Sequence, residues 1–223
     1  MEAAAARFNA NTEKVPMSSY DKLDHWSLKA QKEGYPARSV YKLKEMDEKF
    51  GLFRGARPGS PFRILDIGAA PGSWSLYALR KLSGGGFLAA ADLSPLSRVH
   101  DKGLFDGENF FFQQGDITDP AVRDVLVSRG PYRLVMSDVA PSTTGNRSVD
   151  TLRSLVLVEE VVNYAELCLE AGGNLVVKVF QGGDVQTILK RLRLLFTTAR
   201  SFKPEACRSE SFETYYLGLG KKG

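Results

Sequence analysis

Residues 63–75 read RILDIGAAPGSWS, and this stretch decides the fold. It begins as a short apolar run with β-branched residues and passes through a glycine-rich turn. It then carries apolar and aromatic residues at helical spacing, namely Trp74, Leu76, Tyr77 and Leu79. A change from strand-like to helical periodicity across glycine and proline predicts a strand, a tight turn and a helix.

The turn at residues 68–72 has the features of a ligand-binding loop. Gly68 and Gly72 permit backbone angles and close approaches that a side chain would block, and Pro71 suits the first turn of a helix. Free N–H groups at the start of that helix favour an anionic group such as a phosphate or a carboxylate. We therefore expect Gly68 and Gly72 to lie against a bound cofactor.

Acidic residues end three further predicted strands. Asp92, Asp116 and Asp138 follow runs at residues 87–91, 109–114 and 132–137. Parallel strands bring such ends to the edge where open α/β sheets bind ligands. Each aspartate, taken alone, has an equally ordinary explanation as a helix N-cap or an Asx turn.

The spacing of these residues narrows the choice of ligand. The glycines match neither G-x-G-x-x-G nor G-x-x-x-x-G-K-[ST], which disfavours NAD and ATP. Asp92 lies 20 residues after Gly72, where an acidic residue commonly bonds the hydroxyls of an unphosphorylated ribose. A nucleoside with a carboxylate and no phosphate fits this set, and S-adenosylmethionine is the common one.

Composition limits the other possibilities. A chain of 223 residues, 43% hydrophobic, suits one globular domain with short extensions. The two cysteines, Cys168 and Cys207, form no disulfide framework, and with only His25 and His100 besides we expect no metal site. Without a hydrophobic N-terminal segment or an 18-residue apolar run, the sequence predicts a cytoplasmic protein that does not enter membranes.

Charge is unevenly distributed along the chain. Residues 18–57 carry nine Lys and Arg against six Asp and Glu, and residues 178–223 carry nine against four. Residues 58–177 carry ten against fourteen. Basic segments that flank an acidic cofactor-binding core are expected of a protein that binds RNA or DNA, although the same charges could simply form a solvated surface.

The N-terminal part divides into two segments. Residues 1–18 lack periodicity and are predicted to be a mobile tail, whereas residues 19–57 contain two helical patterns and form a helical extension before the domain at 58–223. The second pattern ends before Gly51 and carries Lys42 among aromatic residues. The extension could pack on the core or bind nucleic acid, and Lys42 could equally be a snorkelling surface lysine.

The C-terminal part predicts further elements of an α/β fold. An amphipathic helix at 150–169 is predicted to stop at Gly172 and Gly173. Its apolar face is predicted to consist of Leu152, Leu155, Val156, Val158, Val162 and Ala165. A strand at 174–180 follows, then a helix at 185–196, a basic segment and a last strand at 214–219. Lys178 interrupts the apolar strand, where a lysine is costly unless it is partnered.

The chain resembles the FtsJ family of ribose 2′-O-methyltransferases from about residue 35 to residue 220. The motifs that carry the resemblance occur in the order and spacing of the family: ARSVYKL, DIGAAPGSWS, SDVAPSTTG, GGNLVVKVFQG and SESFETYYLG. The resemblance implies an α/β, Rossmann-like, S-adenosylmethionine-dependent methyltransferase with a mostly parallel seven-stranded sheet and helices on both faces. One departure is Ser73, where bacterial relatives usually carry glycine, and we expect it to have little effect.

The resemblance also implies the site residues. The catalytic Lys-Asp-Lys-Glu tetrad of the family falls on Lys42, Asp138, Lys178 and Glu213. Its cofactor contacts fall on Gly72, Trp74, Asp92, Asp116 and Asp138. On this basis Lys178 accepts or steers the proton of the hydroxyl, the carboxylates orient the two lysines, and Lys42 positions the ribose.

The resemblance implies a reaction that transfers a methyl group from S-adenosyl-L-methionine to a ribose 2′-hydroxyl. In the bacterial branch of the family, the acceptor is a uridine of 23S ribosomal RNA in the large subunit. The enzyme is expected to be a monomer. Base methylation is disfavoured, because residues 138–141 read DVAP without a stacking aromatic and neither cysteine is placed as a nucleophile. Two alternatives remain open: a 2′-O-methyltransferase of transfer RNA, and a non-catalytic RNA-binding factor for ribosome assembly.

Overall fold

The structure is a computed structural model that describes residues 25–142, 144–182, 185–208 and 210–223. The predicted tail at 1–18 and the start of the predicted extension lie outside these residues. None of the described helices combines the length and the hydropathy that a bilayer span needs.

The elements alternate along the chain as the sequence predicts for an α/β fold. They are α1 (His25–Lys32), α2 (Val40–Phe50), β1 (Arg63–Ile67), α3 (Ser73–Leu82), β2 (Phe87–Asp92), β3 (Phe110–Gln114), α4 (Pro120–Val127), β4 (Tyr132–Ser137), α5 (Arg147–Cys168), β5 (Leu169–Phe180), α6 (Val185–Leu195), β6 (Phe196–Phe202) and β7 (Glu213–Lys221), with a 3₁₀ turn at Leu104–Asp106.

The strands form one seven-stranded sheet in the order β3-β2-β1-β4-β5-β7-β6. The first five strands are parallel, and β7 runs antiparallel to both β5 and β6. Strand order reverses between β1 and β4, so the loops after these two strands face each other at the crevice where such sheets bind ligands. The predicted fold class is therefore confirmed.

Helices cover both faces of the sheet. On one face, apolar residues of α2 and α3 such as Leu43 and Leu76 join Ile64 of β1 in a buried cluster. On the other, α4, α5 and α6 pack on Leu65 of β1 and its neighbours. Alternate residues of β1 thus point to opposite layers, as expected for a strand that is buried on both sides.

Three local predictions from the sequence are wrong. Helix α3 has Gly72 as its N-cap, so Pro71 precedes the helix instead of starting it. Leu152 and Val156 of α5 are exposed, by 63% and 61%. Other residues of the predicted apolar face are buried as expected, namely Val158, Val162 and Ala165. The segment after α6 was predicted only as basic, but it contains strand β6. β6 is an edge strand with many polar residues, so its sequence lacks the clear apolar alternation that predicts a strand.

The predicted helix stop at Gly172 is also wrong. Helix α5 ends at Cys168, and Leu169 already has extended backbone and pairs with Tyr132 of β4. The next pair joins Leu134 to Asn174, so the intervening residues bulge out of the ladder. Gly172, with a φ of +78°, supplies the left-handed backbone within this bulge.

Candidate active site

Four of the six predicted cofactor residues line one cavity of about 390 Å³ at the carboxyl edge of the sheet, which we call the acidic cavity. Its lining includes Gly68, Ala70, Asp92, Asp116, Asp138 and Leu157. Three separate strand ends thus place a carboxylate on one cavity, because β2, β3 and β4 are parallel and end together.

Gly68 is required where the loops after β1 and β4 meet. It has a φ of +77°, and a Cβ built on it would lie 2.6 Å from the Cβ of Val139. Gly72, with a φ of +106°, is required for a different contact, because its Cβ would lie 2.9 Å from the ring of Phe105. Gly72 therefore faces the 3₁₀ turn and is not among the residues that line the acidic cavity.

Asp92 and Asp116 make local backbone contacts and line the cavity as well. Asp92 accepts the backbone N–H of Ala70 at 2.9 Å through Oδ2 and that of Ser94 at 2.8 Å through Oδ1. Asp116 accepts the backbone N–H and the hydroxyl of Thr118 through Oδ1. These bonds from Thr118 lower the pKa of Asp116. The Asx-turn explanation is therefore correct for both residues, and it is compatible with their position on the cavity.

Trp74 and Ser73 face the N-terminal segment. Trp74 is 2% exposed, its indole N–H donates to the carbonyl of Ser39 at 2.9 Å, and it lies outside the lining of the acidic cavity. The Ser73 hydroxyl accepts the backbone N–H of Ala37 at 2.8 Å and donates to its carbonyl. Ser73 thus ties α3 to the approach to α2, and the expectation that it has little effect stays a prediction.

The predicted tetrad forms two ion pairs side by side. Lys178 Nζ lies 3.1 Å from Asp138 Oδ1 and also donates to the backbone carbonyl of Asp138. Lys42 Nζ lies 2.7 Å from Glu213 Oε1. Lys178 is 7% exposed and Lys42 is 9% exposed. Lys42 is therefore not a snorkelling surface lysine. The partner that Lys178 was expected to need is Asp138.

Electrostatics separate the roles available to these groups. Burial alone would lower the pKa of Lys42, but Asp138 and Glu213 outweigh it and the pKa is raised. Burial would likewise raise the pKa of Asp138, yet Lys178 and Lys42 hold it below its ordinary value. At neutral pH, Lys42 is a cation and Asp138 an anion, so Lys42 can position a substrate but cannot take its proton.

Tyr215 connects the two ion pairs, and the sequence analysis did not single it out. Its hydroxyl donates to Asp138 Oδ1 at 2.6 Å, and its ring centroid lies 5.9 Å from Lys42 Nζ. It pairs with Lys178 across the antiparallel ladder of β5 and β7. The signal was available in the sequence, because Tyr215 lies two residues after Glu213 in a strand and so shares its face.

A second cavity of about 420 Å³, which we call the basic cavity, adjoins the other side of the tetrad. Its lining includes Arg38, Ser39, Lys42, Arg208, Ser211 and Glu213. The pKa of Arg38 is lowered, first by burial and then by the nearby charge of Arg208. Arg208 was not predicted, since it lies in an irregular segment whose approach to α2 depends on tertiary packing.

Asp138 lines the acidic cavity, whereas Lys42 and Glu213 line the basic cavity, so the tetrad spans the boundary between the two. Within the described part of the chain, no group of three or more His, Cys, Asp and Glu side chains could hold a metal ion.

Known proteins resemble this chain over most of its length. A family profile described as FtsJ-like methyltransferase matches residues 35–221. A ribosomal RNA large subunit methyltransferase E of Treponema denticola is 53% identical over 207 residues, which cover 92% of this chain and 98% of the relative. One of Oleidesulfovibrio alaskensis is 46% identical over 202 residues, covering 90% and 92%.

Solved structures support the fold. A crystal structure described as a ribosomal RNA methyltransferase from Plasmodium falciparum superposes with a TM-score of 0.68 at 24% identity, covering 85% of this chain and all of that one. An rRNA-methylase structure from Clostridium thermocellum gives 0.54 at 14% identity, with coverage of 80% and 96%. The profile match and the identity of the bacterial relatives, taken with the geometry above, show that this chain belongs to the FtsJ-like methyltransferase family.

Proposed function

We propose that this chain transfers a methyl group from S-adenosyl-L-methionine to the 2′-hydroxyl of a uridine in the 23S RNA of the large ribosomal subunit. The observation that carries the proposal is the position of the tetrad between an acidic and a basic cavity. A cationic methyl donor suits the first, and a polyanion suits the second. The names of the bacterial relatives support the ribosomal substrate.

The residues of the acidic cavity fit S-adenosylmethionine. Asp92 would bond the ribose hydroxyls, and Asp116 and Asp138 add negative charge that favours a ligand with a sulfonium and an ammonium group. Leu93, Ile117 and Leu157 provide apolar wall for the adenine ring. Gly68 lets the loop after β4 approach the loop after β1 closely, so that both line this cavity. When bound, the donor supplies a methyl group already activated by the positive sulfur.

The residues of the tetrad handle the acceptor. Lys178 has two of its three N–H donors directed at Asp138, which orients the remaining one. We assign to Lys178 the task of accepting or steering the proton as the 2′-oxygen attacks. Glu213 pairs with Lys42, whose charge orients the ribose. Alignment of the 2′-oxygen with the methyl group then supplies much of the acceleration of methyl transfer.

The basic cavity fits the RNA that carries the acceptor ribose. Arg38 is anchored by a bond of 2.6 Å from Nη2 to the carbonyl of Ala206, and Arg208 lies in the same lining. Planar guanidinium groups bind phosphate through paired N–H donors. A ribosomal substrate implies that the enzyme acts in the cytoplasm, where ribosomes are. A single copy of the chain supplies every residue of the proposed site, so a monomer would suffice for the reaction.

The test is methyl transfer from labelled S-adenosylmethionine to large ribosomal subunits and, in parallel, to bulk transfer RNA, followed by digestion to nucleosides. We expect label in 2′-O-methyluridine from the ribosomal sample alone. Lys178→Ala should abolish it and retain cofactor binding, whereas Lys190→Ala, on the exposed side of α6, should not change it. Label on transfer RNA would overturn the substrate, and no label despite cofactor binding would favour a non-catalytic RNA-binding factor.

A further inference from the structure

The amino edge of the sheet, at the opposite end of the strands from the proposed active site, carries a second cationic cleft. Arg54, Arg63, Arg133 and Glu170 lie around a space of about 430 Å³, which we call the amino-edge cleft. β1 separates it from the acidic cavity by five residues, or about 16 Å of strand. A ligand in one site therefore does not touch the other.

One arginine of this cleft, Arg63, is held in place before any ligand binds. Arg63 donates through Nε at 3.0 Å, and also through Nη2, to the carbonyl of Arg129, and its guanidinium lies 4.5 Å from the ring centroid of Phe87. Arg129, next to the cleft, lies 3.5 Å over the ring of Phe111, and its buried Nε has no hydrogen-bond partner among the described residues. Guanidiniums fixed in this way lose less side-chain entropy on binding.

Only one carboxylate opposes them in the lining. Glu170 lies 3.4 Å from Arg133, and both side chains are more than a third exposed, at 43% and 37%. An exposed ion pair of this kind contributes about 0–1 kcal/mol, so an incoming anion displaces it at little cost. Arg54, which is exposed and lies at the mouth of the cleft, adds a third permanent positive charge.

We propose that the amino-edge cleft binds the phosphate backbone of a second segment of the substrate RNA, remote from the ribose that is methylated. The inference rests on the proposed function, because RNA is the polyanion large enough to reach both ends of the sheet. Guanidinium groups match phosphate geometry with paired N–H donors, and three of them line this cleft. The cleft raises affinity and sets the orientation of the enzyme, and it takes no part in the chemistry.

The test compares the double variant Arg54→Ala/Arg133→Ala with the matched control Arg193→Ala/Arg200→Ala, which removes two exposed arginines from α6 and β6. Affinity for transcribed 23S RNA is measured by filter binding between 50 and 200 mM salt. We expect the first variant to bind about 10-fold more weakly at low salt and to lose about 1–2 from the slope of log K against log salt. The control should keep most of the affinity at low salt and most of the salt slope.

Methylation measured on the same proteins separates the two proposals. The cleft variant should show a raised KM for long RNA, an unchanged kcat and unchanged binding of S-adenosylmethionine. Equal affinity and slope in the cleft variant and the wild type would overturn the cleft proposal and point to an acidic protein as its ligand. If the control variant lost as much RNA affinity as the cleft variant, the cleft proposal would be overturned, because general surface charge would then explain the binding. A wild type that methylates no RNA, with a cleft-specific loss of affinity, would overturn the proposed function and support the cleft.

Discussion

Tyr215 couples the two ion pairs of the proposed tetrad at the level of single residues. Its hydroxyl is one of the contacts that hold the pKa of Asp138 below its ordinary value, after Lys178 and Lys42 have offset the effect of burial. Since Asp138 in turn contacts Lys178, the phenol would act through the carboxylate on the group to which we assign the proton. We therefore infer that Tyr215 is a positioning residue in the proposed site.

Tyr215→Phe should reduce kcat by about 10- to 100-fold, since a hydrogen bond to a charged group contributes about 1.5–3 kcal/mol. Steady-state kinetics and cofactor titration measure the effect, and the cofactor affinity should change little. Tyr216→Phe, on the opposite face of the strand, is the control and should retain activity. A Tyr215→Phe enzyme with wild-type kcat would remove the positioning role.

Asp66 is a buried carboxyl beneath this site whose protonation depends on pH near neutrality. It is 0% exposed, accepts the Ser75 hydroxyl at 2.6 Å through Oδ2, and has no partner for Oδ1 among the described residues. Burial, partly offset by Ser75 and reinforced by Asp138 and Asp92, raises its pKa to about 7. The folded protein therefore binds this proton more tightly than the unfolded chain does.

This difference predicts that the free energy of unfolding falls as pH rises from about 4 to about 7, by about 2–4 kcal/mol from this group. Asp66→Asn should flatten that part of the profile, measured by urea unfolding at pH 5 and pH 8. The lowered pKa of Asp138 acts in the opposite direction at lower pH and is common to both proteins. Asp124→Asn, at an exposed carboxyl, should follow the wild type, and equal pH slopes for Asp66→Asn would refute the assignment.

Helix α2 delivers Lys42 to the site, and Asp47 fastens that helix to α3. Its Oδ1 accepts the backbone N–H of Phe53 at 3.1 Å, and its Oδ2 accepts the hydroxyl of Tyr77 at 2.7 Å and pairs with Lys81 at 3.0 Å. Asp47 is 7% exposed, so its bonds to Phe53 and Tyr77 are shielded from water, whereas Lys81 is 45% exposed. The position of Lys42, a residue of the proposed tetrad, thus depends on contacts that Asp47 makes elsewhere on the same helix.

Asp47→Ala should lower the free energy of unfolding by about 2–4 kcal/mol, because it leaves buried donors of Phe53 and Tyr77 without an acceptor. We also expect a higher KM for RNA, since Lys42 lies on the same helix. Asp47→Asn keeps an acceptor oxygen and should show the smaller loss in both measurements. A stability within 0.5 kcal/mol of the wild type for Asp47→Ala would contradict this account.

At the scale of the whole molecule, the proposed cofactor residues come from the ends of several strands of one sheet, so cofactor binding should stabilise the entire domain. At 100 times its Kd, a ligand of the folded state adds about 2.7 kcal/mol, or roughly 5–10 °C in Tm for a domain of this size. We expect S-adenosylmethionine to produce such a shift in thermal unfolding. Lys178→Ala should retain the shift and Asp92→Ala should lose most of it, and an equal shift in Asp92→Ala would contradict the proposed ribose contact.

Local patterns in the sequence determined the strand–turn–helix at residues 63–75, the acidic ends of β2 and β4, and the helix that carries Lys42. These features depend on neighbours a few residues apart, and periodicity and turn chemistry report such neighbours directly. The expectation that buried Lys178 needs a partner also came from the sequence, because a lysine within an apolar strand is costly alone.

Only the tertiary structure decided the contacts between elements distant in sequence. It paired Lys178 with Tyr215 across β5 and β7, turned Trp74 into the core, and brought Arg208 to Arg38. It also gathered Arg54, Arg63 and Arg133 around one cleft. Sequence patterns record which face of an element is apolar, but the partners that meet there depend on strand order and helix packing, which no local pattern encodes.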